Sequence, residues 1–174
     1  MSISTKSQGP VENYLLAALP DEVLARLLPH LKQVSFALGG VVYETSERMD
    51  SLYFPTTCIV SLLYTMTDGA TAEMGLVGND GVVGVALFMG GNTVPNRAVA
   101  QVAGDAFSVP APILLEEFRR GGPCQFLMLR YTQALITQVS QTAVCNRLHS
   151  VEQRLCRWLL LMHNRVGSAE LLLT

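Results

Sequence analysis

The sequence is short of charge. Charged residues make up 15% of its 174 residues against 49% apolar ones, and the net charge is −2. Disordered chains show the opposite balance, so a packed core is expected. A free-standing DNA-binding domain carries a basic surface to meet phosphates. With no basic surplus, nucleic-acid contact belongs to a local patch or to another domain. Cysteine is scarce and scattered. Cys58, Cys124, Cys145 and Cys156 form no C-x-x-C pair, and the polar stretch Met1–Val11 lacks the apolar core of an export signal. Free thiols in a reducing cytoplasm are expected. Long apolar runs are missing as well. Trp158 to Met162 is among the longest, far below the ~20 residues a membrane helix needs, so no membrane partner is expected. The three histidines, His30, His149 and His163, all lie outside the turn-rich centre. A cupin-like metal site is therefore not expected, and His30 and His149 are read as solvated or capping rather than as haem ligands. No G-x-S-x-G elbow and no Ser/His/Asp arrangement occurs, so the chain is not expected to be an enzyme.

What is present divides into three zones. Residues 1–10 read as a loose tail. From Val11 to Leu31, Tyr14, Leu15, Leu16, Leu24, Leu27, Leu28 and Leu31 recur at helical spacing, with a restart at Pro20-Asp21. From Val34 to Val109 short apolar runs alternate with turn signals. The runs are Val41–Tyr43, Ser51–Phe54, Ile59–Tyr64, Glu73–Val77, Ala98–Val102 and Ala106–Val109. Ten of the fourteen glycines fall here, which predicts a turn-dense all-β unit, and Asp68-Gly69 reads as a hairpin turn. After Pro110 the pattern is helical again. A short helix over Ile113–Arg119 stops at Gly121-Gly122-Pro123, and Arg119-Arg120 reads as its C-terminal cap. A long helix from about Cys124 to Arg147 follows, and Ser150 to Val166 continues helically up to Gly167.

The long helix is unusual. Leu129, Ile136 and Ala143 are seven apart, and Phe126, Thr132 or Gln133, Val139 or Ser140, and Asn146 alternate with them in 3-4 spacing. Thr132 to Thr142 carries no charge, whereas a surface helix exposes charge on its outer face. Contacts on two sides are expected, the β unit on one and a second helix on the other. A homodimer seam through Phe126, Leu129, Ile136, Val139, Ala143 and Asn146 is the functional reading; a buried helix of a monomer is the alternative.

A second unusual segment runs from Gly78 to Phe88, with glycines at 78, 81 and 84, and the chain then returns through Arg97. Glycines before a helix start free backbone N–H groups for an anion. Arg97 is the one cation between Arg48 and Arg119 and reads as either a phosphate anchor or a structural cap. Asp80 is explained by turn chemistry, Glu73 by exposure at a strand edge, Trp158 by packing, and Cys145 by burial rather than redox sensing.

The order of these parts resembles the Crp/Fnr family of regulators. The resemblance covers residues 11–174 and rests on Gly39-Gly40-Val41-Val42-Tyr43, Leu52-Tyr53-Phe54, Val83 to Phe88, Arg97-Ala98-Val99-Ala100 and Val151 to Leu161. It implies an α+β fold: an antiparallel, jelly-roll-like β-roll flanked by N-terminal helices and a long C-terminal dimerisation helix. The β-roll region spans 11–123. The dimerisation helix and the helix after it span 124–174 and lead to a winged helix-turn-helix not in this sequence, as in a truncated piece or natural fragment. DNA would then be met only through that further domain. Cyclic-nucleotide-binding members pair a Gly-Glu with Arg-Ser or Arg-Thr. Gly84 and Arg97 match the Gly and Arg, while Val85 and Ala98 stand where the Glu and the hydroxyl residue are expected. Val85 accepts no hydrogen bond, and an unpaired polar ligand group there costs about 1–3 kcal/mol. The resemblance thus implies a ligand site of Gly84, Val85, Ala86, Arg97, Ala98, Val139 and Ser140, and as effector a cyclic nucleotide or another small anion. The other expectation is a β-roll that has lost its ligand and serves only dimerisation or protein interaction.

Overall fold

A computed structural model describes residues 12–166. The predicted tail at 1–10, the stop at Gly167 and the stretch after it lie outside the described residues. Helix α1 (Tyr14–Ala17) and helix α2 (Asp21–Leu27) precede seven strands, β1 (Lys32–Phe36), β2 (Val41–Tyr43), β3 (Ser51–Pro55), β4 (Ile59–Thr65), β5 (Thr71–Val77), β6 (Asn96–Val102) and β7 (Gly104–Pro110). Helices α3 (Ala111–Arg119), α4 (Gly122–Leu148) and α5 (Val151–Val166) follow. The strands form two antiparallel sheets, in the orders β1-β7-β3 and β2-β6-β4-β5.

The α+β class and the β-roll are as the sequence predicts. Strand β1 is the exception, since the sequence reading places no strand there. It lies at a sheet edge, and only Val34 and Phe36 turn half-buried faces inward. Its register against β7, Val34 opposite Ala106, is nonetheless complete. The β4–β5 hairpin turns at Asp68-Gly69, with the Met66 N–H donating to Ala70 O at 2.8 Å.

The core fills the space between the sheets and runs under α1–α3. Leu16, Leu52, Phe54, Val82, Leu114 and Met128 are among its fully buried members. Phe88 stacks on Phe118 at 5.3 Å, joining the glycine-rich segment to α3. Arg26 of α2 and the buried Glu117 of α3 form a two-bond ion pair at 2.6 and 2.9 Å. The break between α4 and α5 is built locally. Ser150 Oγ accepts from the Gln153 N–H and Gln153 Oε1 accepts from the Ser150 N–H, a reciprocal cap that starts a new helix. Met162 of α5 is fully buried with Ile59 and Leu76, and Trp158 packs beside them. Arg165 grips Asp80 through two bonds, at 2.9 and 3.1 Å. Helix α5 is therefore folded back onto the roll.

Asn13 holds four partners at once. Its fully buried side chain accepts from the N–H groups of Leu15 and Leu16 and donates to Pro55 O and Gly81 O, at 2.8 and 2.9 Å. Asn13→Ala leaves two carbonyls without donors and removes a helix cap, so it is expected to lower stability by about 3 kcal/mol. Urea unfolding would read this as a lower midpoint with an unchanged slope.

Candidate functional site

The glycine-rich segment is moored at several points. Tyr14 N–H donates to Asn79 O at 2.7 Å, Asn13 holds Gly81 O, and Val83 bridges Tyr53 of β3 through bonds of 2.8 and 3.1 Å. Gly84 then takes φ +109°, a conformation that strongly favours glycine, and its absent Cβ leaves room for Leu52. A single 3₁₀ turn over Val85–Leu87 follows. The expected short helix is thus one turn long.

This segment forms one wall of a cavity of about 250 Å³. Val82 through Ala86 supply that wall. The floor comes from the strands, Tyr43 of β2, Leu62 of β4, Met74 of β5 and Asn96 of β6, with Val94 beside them. Helix α4 closes the remaining side with Leu135, Ile136, Val139 and Ser140. The polar side chains among these are Tyr43, Asn96 and Ser140. Asn96 Nδ2 donates to Tyr43 Oη at 2.8 Å, and burial pushes the Tyr43 phenol above its ordinary value, so it stays neutral. No charged side chain is among the described residues that line the cavity.

The predicted ligand residues divide. Gly84, Val85, Ala86, Val139 and Ser140 come together at this cavity. Arg97 and Ala98 do not line it. Along β6 burial alternates, with Asn96, Ala98 and Ala100 inside and Arg97 on the opposite face. Ala98 is packed in the core, and Arg97 Nε lies 3.1 Å from Glu44 Oε1. Asn96, one residue earlier, is the β6 side chain that reaches the cavity. The sequence reading passed over Tyr43, Leu62, Met74 and Asn96. Strict period-2 counting from the apolar Ala98 and Ala100 would have turned Asn96 inward and Arg97 outward.

The predicted seam residues stand on the outside of α4. Phe126, Leu129, Ile136, Ala143 and Asn146 are exposed, and Val139 is half-buried between seam and cavity. Ile136 belongs to both surfaces: it lines the cavity and is still 50% exposed. Cys145, expected to be a packing cysteine, is buried, as are Cys58 and Cys124, while Cys156 is exposed. Two acidic residues differ from their sequence reading. Asp80 accepts from Gly78 N–H as a turn residue does, but it also anchors Arg165 of α5. Glu73 is not an exposed edge residue. It is half-buried under α5, accepts from Ser61 Oγ at 2.7 Å and lies beside Trp158. Arg120 ends α3, where it pairs with Glu116 and Glu117.

A two-sheet roll closed by a long C-terminal helix is the fold of the sensor regions of Crp/Fnr-type transcription regulators. A Crp/Fnr-family putative regulator from Eubacterium rectale superposes with a TM-score of 0.74 at 14% identity, over 92% of this chain and 75% of that one. The c-di-GMP-responsive global regulator CLP of Xanthomonas campestris gives 0.70 at 15% identity, over 87% and 76%. The sensor domain of the regulator DNR from Pseudomonas aeruginosa gives 0.58 at 18%, over 81% and 91%. No protein-family model and no curated protein matches the sequence. No helix among the described residues is long and apolar enough to cross a membrane, and no cluster of metal-ligating side chains occurs among them.

Glu73, which does not line the cavity, gives the contact between the roll and α5 a pH signature. Burial, the largest influence, raises its carboxyl above the ordinary range, against the lowering effects of Ser61, Trp158 and Arg157. The folded state therefore binds this proton more tightly than the unfolded chain. The stability it contributes is complete below the ordinary value, about 4.3, and is lost as pH rises through the raised value. Glu73→Gln keeps an acceptor for Ser61 without the buried charge. Its urea midpoint is expected to gain on the wild type as pH rises through that window; a difference that stays constant with pH would refute the assignment.

Proposed function

We propose that this chain is the effector-sensing and dimerising region of a cytoplasmic transcription regulator of the Crp/Fnr type, and not an enzyme. A small molecule enters the cavity between roll and α4, two copies pair along α4, and occupancy of the cavity biases the geometry of the pair. DNA is contacted by a further domain outside this sequence. The observation that carries this reading is the double duty of α4. One face closes the cavity with Leu135, Ile136, Val139 and Ser140, while Phe126, Leu129, Ile136, Val144 and Leu148 leave large apolar side chains exposed on the same helix. A lone apolar side chain at a surface needs no explanation, but several large ones along one helix are the mark of a helix seam.

A ligand shifts such a pair only by its difference in affinity for two arrangements. Helix α4 touches both the ligand cavity and the proposed seam, so that difference has a direct mechanical route. The charge-poor cavity also bears on the reading in which the roll is only a scaffold. That reading predicts dimerisation with no ligand dependence.

Sedimentation at micromolar concentration tests the seam. The wild-type chain is expected to be a dimer. Leu129→Arg and Phe126→Arg place charges on side chains that are 50% and 63% exposed in the single chain. Each should give a monomer whose own stability changes by no more than about 0.5 kcal/mol, with an unchanged circular dichroism spectrum. A wild-type monomer throughout the concentration range would remove the dimer.

A further inference from the structure

We propose that the cavity takes a small, uncharged, mainly apolar molecule, an aromatic or alicyclic compound carrying one or two hydrogen-bonding groups, and that it does not take a phosphate ester. This rests on the sensing reading above and narrows it to a chemical class.

Charge is the first ground. An ionised phosphate moved from water into this cavity would lose hydration worth several kcal/mol, and proteins recover that with cations or a set of donors. Arg97 is the cation that the sequence offers for the task. It projects from the opposite face of β6, where its Nε lies 3.1 Å from Glu44 Oε1 without making a hydrogen bond. Reaching the cavity would require breaking that pair and passing the strand itself. The backbone contributes little in its place, because the 3₁₀ helix at Val85 is three residues long and the partial charge of a helix end grows from aligned peptide units. Val85 and Ala86, which line the cavity, offer no polar side-chain group to a sugar hydroxyl or a phosphate.

The polar groups that remain are the second ground. One of the two Asn96 Nδ2 protons is given to Tyr43 Oη. That leaves the other amide proton and the phenol proton of Tyr43 as donors and the Asn96 carbonyl oxygen as an acceptor, side by side on an otherwise apolar floor. This pair suits one hydroxyl, carbonyl or ring N–H. Ser140 adds a second hydroxyl from α4. Sites built this way orient a ligand by a few polar contacts and bind it mainly through apolar surface. The volume, about 250 Å³, lies below the range of roughly 300–1,000 Å³ typical of drug-sized ligands, so the occupant is small.

Calorimetric titration of the full chain tests the class, with indole, 4-methylphenol and 2-naphthol as neutral probes and cyclic AMP, cyclic GMP and inorganic phosphate as anionic ones. Three variants accompany it. Val85→Phe fills the cavity from the roll, Ser140→Phe fills it from an exposed position on α4, and Arg97→Gln removes the cation. Cooperative unfolding of each variant is checked first, and Ser140→Phe, being at the surface, leaves the core intact. At least one neutral probe is expected to bind, to weaken about tenfold or more in both filling variants, and to be unaffected by Arg97→Gln. Neutral binding that the filling variants leave unchanged would overturn the location. Cyclic-nucleotide binding that is tighter than any neutral probe and lost in Arg97→Gln would overturn the chemical class while keeping the sensing reading. Absence of binding by both sets would overturn the two together and leave the ligand-free scaffold.

Discussion

The architecture depends on a helix pressed against a sheet edge. Strand β5 ends the four-stranded sheet, so its outer N–H and C=O groups need partners. Gln138 of α4 supplies both. Its Oε1 accepts from the Leu76 N–H and its Nε2 donates to Leu76 O, each at 3.3 Å. A side-chain amide here stands in for a neighbouring strand. The approach is close because Gly75 has no side chain; a Cβ there would fall 2.9 Å from Gln138 Oε1. Leu135, Ile136, Val139 and Ser140 lie within three residues of Gln138, so this contact also sets the width of the cavity. It explains the long neutral run of α4 as well. A Lys or Glu facing Leu76 would be desolvated without a matching charge.

The opposite wall is held just as firmly, by different means. Asn13, Tyr14, Tyr53 and Arg165 reach the segment Asn79–Val83 from three elements, α1 with its cap, β3 and α5. Much of that restraint is neutral hydrogen bonding to backbone. The Asp80–Arg165 pair differs because it joins the cavity wall to α5. Asp80 is about half exposed, so the pair contributes modestly to stability, on the order of 1 kcal/mol or less. Its weight lies in geometry. Helix α5 follows directly on α4 and is pinned at one end by the Ser150–Gln153 cap and at the other by Asp80.

Much of this was legible in the sequence. Turn residues and short apolar runs marked six of the seven strands, because turns restrict which residues can stand there. The uncharged stretch of α4 announced a helix with contacts on two sides, and Gly78–Phe88 announced an unusual loop. What the sequence reading missed was which way two charged side chains face. Glu73 and Arg97 show the difficulty. Each is a charged residue in a strand, and the default is to place both where their charge seems useful or harmless. Glu73 instead lies under α5, a contact nearly ninety residues away in the chain. Arg97 obeys the alternation of β6, which the buried Asn96, Ala98 and Ala100 fix. Five of the seven candidate ligand residues meet at one cavity: Gly84, Val85 and Ala86 on the turn-rich segment, Val139 and Ser140 on α4. Of the two that do not, Arg97 faces the other side of β6 and Ala98 is packed in the core.

The coupling that the proposed function requires has a short path, because the cavity and the exposed stripe lie on adjoining faces of α4. No chain of intermediate residues is required between the two surfaces, because Ile136 takes part in both. A molecule that fills the cavity can act on the outer face by changing how far α4 stands from the roll. The Gln138–Leu76 amide pair resists that displacement with two neutral hydrogen bonds, each worth about 1 kcal/mol net. Typical couplings between sites are 1–3 kcal/mol. A displacement that strains this one contact is therefore of the right size to be driven by a small ligand, whereas one that also broke the Asn13 or Val83 mooring would not be. Under the proposed function, sensing works by moving α4 relative to a roll that stays fixed.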